Sequence, residues 1–331
     1  MRAAALLLTL AACEGPTGRA VELPGGEPGI GFDDLRYSPR LRQVLVPGGR
    51  SGALHLIDPD TLEVTAITGF SDLPDFNGGH DDGVTSADDT GRWLLATDRT
   101  RRQLVVVDPE AGAIASSADL GGGPDYVRWA APTGEAWVTE PSAERIEIFA
   151  LSDDGVLTSD GTIAVGGGPE SLVIDATRHL AYTHLWDGAT VAIDLASRDL
   201  VATWPNGCGS SRGIALDEER GFLFAACSGG RVAVLDVDRD GQVLSEMWPV
   251  DGTDVIDYNP ALRHLYLAGR FSANLAIVGV DSGGDMGLLG MADGALESHC
   301  AVADDRGHVY ACDPDQGRIL VRDDCFAAIR R

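Results

Sequence analysis

The chain has no lysine: all 25 of its basic residues are arginine, against 51 Asp and Glu, for a net charge of −26. Such a balance lacks the clustered basic side chains that nucleic acid and anionic lipid surfaces require, so both are excluded as partners. A GC-rich genome and a soluble or salt-adapted exported protein account for it as well as an acidic functional surface does, and both readings stay open. No Cys-x-x-Cys pair is present, which argues against a thiolate metal centre. A redox centre of haem or copper would want a CxxCH or a His/Cys/Met cluster, and neither occurs. Nor is there a GxSxG elbow, an HExxH helix or an EF-hand loop. Asp236-Val-Asp238-Arg-Asp240-Gly241 alternates acids but lacks the distal Glu, so it reads as a turn.

What is present is a repeat. Residues 169–205 read as four short strands: Ser171–Asp175, Leu180–His184, Thr190–Asp194 and Leu200–Trp204, with tight turns at Asp-Ala-Thr-Arg and Asp-Gly. The second strand recurs at Leu45, Leu94, Trp137, Ala181, Leu223, Tyr266 and Val309, at spacings of 42 to 49 residues. Four-stranded units of that period are propeller blades. The expected fold is therefore an all-β, seven-bladed β-propeller with four-stranded antiparallel blades. The seventh unit lacks a good fourth strand, and Arg19–Leu23 is expected to supply it, closing the ring from the N-terminus. Although 331 residues would suggest two domains, the unbroken repeat argues for one, residues 19–325, followed by a tail at 326–331.

The pattern Arg178-His179-Leu180-Ala181-Tyr182 … Ala189-Thr190-Val191-Ala192-Ile193-Asp194 resembles the YVTN-type propeller repeat of bacterial surface and periplasmic proteins, over about residues 29–322. WD40 signatures are absent. The resemblance implies fold and export, not an activity. Residues 1–12 read as a secretory signal peptide, too short to span a bilayer. They run into Leu10-Ala11-Ala12-Cys13, similar to a bacterial lipobox, with 13–18 as a lipidated cysteine and tether. An ordinary signal with an incidental cysteine is the alternative. The membrane is then reached only through a lipid on Cys13, and Glu14, in place of an Asp, favours the outer membrane over the inner one.

In an oxidising compartment the remaining cysteines are expected to pair. Cys208 precedes the first strand of unit five and Cys227 ends its second; Cys300 and Cys312 lie on facing strands of unit seven. Disulfides Cys208–Cys227 and Cys300–Cys312 follow, with Cys325 as the odd one out, roughly 20 Å from Cys312 by strand rise.

Aligning the first strands places Asp33, Asp82, Asp125, Glu170, Arg212, Asp254 and Ser298 at equivalent positions at one mouth of the channel. Asp82, Asp125, Glu170 and Asp254 are candidate ligands for calcium or magnesium, the cofactors such a ring would take. The preferred alternative is structural: each acid accepts loop amides of the next blade. The loops on the same face contribute His80, Asp98, Arg99, Glu140, His184, Trp186, Arg270 and His299. His80, His184 and Glu140 are the acid–base candidates; Asp98, Arg99, Trp186, Arg212, Arg270 and His299 are the ligand-binding ones. Gly121-Gly122-Gly123 and Gly166-Gly167-Gly168 precede no helix and read as turns rather than phosphate loops. Two functions remain. One is a lipid-anchored binding or interaction module for a small anionic ligand or another exported protein. The other is a metal-assisted hydrolase or lyase at the same rim, lactonase-like or similar in architecture to virginiamycin B lyase.

Overall fold

The computed structural model describes residues 18–329. Seven four-stranded antiparallel sheets are arranged as a β-propeller. Blades 1 to 6 occupy residues 36–72, 84–119, 127–164, 173–205, 211–247 and 256–293. The seventh holds three strands within 301–323, and its outermost strand is Arg19–Glu22, paired antiparallel with Arg318–Asp323 from Arg19 opposite Val321 to Glu22 opposite Arg318. Val21 and Leu23 are buried by this closure, and Arg19 pairs with Asp323 at 3.0 Å. The expected signal peptide, Cys13 and most of the expected tether lie outside the described residues.

The second and third strands read as unbroken apolar runs because both of their faces are buried. Side chains alternate along a strand, so successive residues serve opposite neighbours. Leu45 and Leu54 of blade 1 meet Leu94 and Val105 of blade 2. Leu95 and Val106, one residue out of phase, turn the other way to meet Val138 and Phe149 of blade 3. In blade 5, Leu223 packs towards Tyr182 and Trp204 of blade 4, while Phe224 packs towards Leu265 and Leu267 of blade 6. The fourth strands are largely exposed or half-buried, and in Ala113–Asp119 the two alternate. In blades 2 to 6 a bulge interrupts the third-to-fourth pairing at an equivalent point. A bulge twists a strand away from flat pairing and so blunts the outer edge.

Both expected disulfides are present, with Cα–Cα distances of 5.3 Å for Cys208–Cys227 and 5.7 Å for Cys300–Cys312. Cys325 is disulfide-bonded too, which corrects its reading as the odd one out. The C-terminal segment is no loose tail as far as residue 329: Phe326 packs against Tyr266 and its neighbours, and the Ile329 amide donates to the Leu262 carbonyl at 3.0 Å.

Candidate functional site at the channel mouth

The first strands line the channel, and the loops entering them, together with the second-to-third-strand loops, form one rim. Glycine sets how close the blades approach there. A Cβ on Gly213 would collide with the Asp254 carbonyl oxygen, and Gly83, at φ +69°, would collide with Gly49.

Arg99 is the hub of one half of the rim. Its Nε donates to the Pro124 carbonyl at 2.7 Å and its Nη1 to the His80 carbonyl at 3.0 Å. Its Nη2 donates to Asp33 at 3.2 Å and, closer still, to Asp125. His80 Nδ1 lies 2.9 Å from the Asp33 carboxylate. The charge of Asp33 pushes the imidazole up to about 10, against the opposing effect of burial, so His80 is a cation at neutral pH. Burial raises Asp33, but His80 and Arg99 outweigh it and hold the carboxyl below its usual value. Asp125 moves the other way. Burial dominates, Arg99 opposes, and the charges of Asp33 and Glu170 add to the rise.

The other half of the rim is built on Glu170, which binds Arg212 and the indole Nε1 of Trp186 at close range. Burial raises the Glu170 carboxyl despite Arg212. Asp254, half-buried, acts on His80, Glu170 and Arg212 through its charge. Between the two halves lies a cavity of about 360 Å³ whose lining includes His80, Asp81, Arg99, Asp125, Glu170, Trp186 and Arg212.

Several expected members stand elsewhere. The second strand of blade 4 runs through His184, so its side chain enters the interface with blade 5 rather than a loop. It is fully buried, 2.9 Å from the Thr190 hydroxyl, and burial lowers it to about 4. Glu140 is fully buried, accepting from the Gly122 amide at 2.9 Å and from Arg145 at 2.5 Å. Asp98 accepts from the Ser71 amide and hydroxyl, both at 2.8 Å, and so ties blade 1 to blade 2. Arg270 pairs with Glu297 and stacks over Phe271, outside the cavity. His299 lies beside His80, their ring centroids 5.4 Å apart, with both ring nitrogens against carbonyl oxygens, those of Glu297 at 2.6 Å and Phe32 at 2.9 Å.

The ring of acids does not fit a divalent cation. Asp125 and Glu170 face arginines rather than one another, and Asp82 is half-buried and outside the cavity lining. Among the described residues, one group of three potential ligands comes together: His299, Cys300 and Cys312. Its two thiols form a disulfide and its imidazole nitrogens face carbonyls. Nor do Asp33, Asp125 and Glu170 take the structural role of holding the next blade's amides, since their partners are side chains; other acids do so at the far end of the first strands. Asp88 accepts from Trp129 N and Asp257 from Ala303 N, both at 2.8 Å. The sequence reading missed Asp81 as a lining residue, Asp33 as the partner that fixes His80, and the buried ion pair of Asp34 with Arg128 further down the channel. Asp33 was visible in the repeat alignment; the Asp34–Arg128 pair, joining residues of blades 1 and 3, left no sequence signal.

No family model and no curated protein sequence matches the chain. Solved structures do. A chain of the mitotic checkpoint complex superposes with a TM-score of 0.73 at 14% identity, covering 97% of this chain and 98% of that one. A chain of Kuenenia stuttgartiensis hydrazine synthase gives 0.73 at 13% identity, covering 90% and 96%. The β-propeller domain of Myceliophteria thermophila Cps50 (Swd1) gives 0.72 at 13% identity, covering 92% and 99%. At such identities the likeness is one of fold: the chain is a seven-bladed β-propeller.

Proposed function

We propose that this protein is an exported, lipid-anchored propeller of the YVTN-repeat type that binds a small anionic ligand in the channel-mouth cavity. The observation that carries the reading is the layering of charge. The Asp33, Asp125 and Glu170 side chains are 3, 10 and 11% exposed, whereas those of His80 and Arg212 are 30 and 33% exposed. Asp33, Asp125 and Glu170 lie deeper and hold the cations in place, and His80 and Arg212 reach further into the cavity, where Asp81 stands at the same level. A carboxylate or phosphate there meets oriented donors, with the Trp186 ring as an apolar wall. His80 is already protonated, His184 is in the interior and Glu140 is committed to Gly122 and Arg145, so the arrangement favours binding over acid–base turnover. Screening small dicarboxylates and phosphate monoesters by thermal shift tests this, since a ligand of the folded state raises its melting temperature. Arg212→Ala should remove the shift; a shift that survives Arg212→Ala and His80→Gln places the ligand elsewhere.

An exported protein as partner is favoured by a second observation on the same face. Trp248, Phe271 and Leu296 are 61, 59 and 62% exposed. Their loops are joined by hydrogen bonds from Phe271 N to Asp251 O and from Glu297 N to Arg270 O. An apolar patch of this kind beside polar loops is what a protein interface uses. Changing all three to Ser should abolish capture of a periplasmic partner and leave small-ligand binding intact.

The anchor is tested by Cys13→Ser, which should release the protein from the membrane fraction. Mapping the Cys325 peptide adds a decisive arm. Cys325 is disulfide-bonded while the other four cysteines of the folded part pair among themselves, so a Cys325–Cys13 bridge competes with the lipid for the Cys13 thiol, and finding it would overturn the anchor.

A further inference from the structure

The channel has a second, larger cavity at its other mouth, about 630 Å³, lined where the first strands end and turn. Its arginines, with Asp34 and Asp88, come from the side of blades 1 to 3, beside Tyr126 and Trp129; blades 4 to 6 give it Val173, Ile174, Ile214, Ala215 and Ile256, with Glu218 and Asp257 among them. Both arginines on the charged side are already matched. Arg128 donates to both oxygens of Asp34, at 2.6 and 2.8 Å, and Arg36 reaches Asp88 at 3.2 Å. Asp257, on the border of the apolar side, has no cation within ion-pair distance among the described residues; the Ala303 and Tyr258 amides are its donors. Burial raises its carboxyl to about 6, so it is mostly ionised at neutral pH. A concave site of this volume with an apolar stretch of wall and two carboxylates, Asp257 and Glu218, that pair with no cation among the described residues is suited to a cation with an apolar body.

We propose that this cavity binds a small organic ammonium compound, its charge on Asp257 and its hydrocarbon or aromatic part against blades 4 to 6. An anion is disfavoured because Arg128 is only 4% exposed beneath Asp34 while Asp257 and Glu218 add carboxylates to the wall, and a bare metal ion because no group of three ligands assembles there among the described residues.

The test uses the whole protein and three probes of one shape: phenethylamine, 2-phenylethanol and 3-phenylpropionate. Calorimetry and thermal shift should detect saturable binding of the amine alone. Asp257→Asn keeps an acceptor for Ala303 N and should weaken the amine at least about tenfold, as expected for loss of a charged hydrogen bond. Ile174→Trp, filling the apolar side from a half-exposed position, should weaken it as well, whereas Arg212→Ala at the opposite mouth should not. Absence of amine binding at millimolar concentration, equal binding of the alcohol, or amine binding unchanged in Asp257→Asn would each overturn the assignment.

Discussion

His80 and Asp257 are single residues whose environments push them in ways that solution measurements can read. The folded-state value of His80, about 10, lies above its ordinary value of 6.5. The stability it contributes is therefore complete below about pH 6.5 and is lost as pH rises towards 10. Asp33→Asn should return the His80 ring to a midpoint near its ordinary value by NMR titration and flatten the alkaline limb of the stability profile. A wild-type ring titrating near 6.5 would show that Asp33 does not hold the proton. Asp257 is raised as well, but here the partner is lacking, so ionising it costs stability, increasingly between pH 4 and 6. Asp257→Asn should thus melt higher than the parent at pH 7 while losing the amine, the expected trade where a strained polar group is kept for binding. The rim was only half legible in sequence for a related reason. Repeat alignment brought Asp33, Asp125, Glu170, Arg212 and Asp254 together, because equivalent positions share a place in the ring. Which cation each acid meets depends on loop paths, and no periodicity encodes these. His184 was misplaced because, as the last residue of the strand Leu180–His184, it was grouped with the loop that follows, whereas its side chain turns inward towards Thr190 and Phe224.

At the scale of the element, the recurrence of short apolar strands every 42 to 49 residues was enough to expose all seven blades. The pattern is long-range and repeated, so errors in one unit are corrected by the next. The closing strand was legible for the same reason: an unmatched edge in blade 7 and an unmatched strand at the N-terminus imply one another. Deleting residues 14–24 should remove the ladder with Arg318–Asp323, take away the buried Val21 and Leu23, and bare the Ile319 and Val321 side of blade 7 that they cover. Burial of two such side chains is worth about 3–6 kcal/mol as an upper estimate. The loss should appear as a lower denaturant midpoint, and a truncated chain that unfolds like the parent would mean the strand is dispensable. The Cys208–Cys227 bridge spans 19 residues. Opening it by Cys208→Ala with Cys227→Ala should cost about 2–4 kcal/mol, chiefly through the freed unfolded chain.

The whole molecule carries −26 charges without one lysine, and part of that acidity has a structural use the composition did not reveal. Asp58, Asp108 and Asp194 end third strands and each accept backbone amides two and three residues on, and Asp236 accepts one two residues on. These are turn-forming acids, repeated because the blade is repeated. Their charges still add to the total, as do exposed acids such as Asp81. Two effects then compete as ionic strength changes. Salt weakens exposed ion pairs such as Arg19–Asp323 and Arg42–Asp60, each worth about 0–1 kcal/mol. It also screens the mutual repulsion of the excess acids, whose field extends across the surface when the Debye length is about 30 Å and shrinks when it is about 8 Å. Since acids outnumber arginines two to one, repulsion should dominate. Raising sodium chloride from about 10 mM to about 150 mM, the range those screening lengths span, is expected to raise the melting temperature in calorimetry. A fall over that range would mean that the ion-pair network, not the net charge, governs stability.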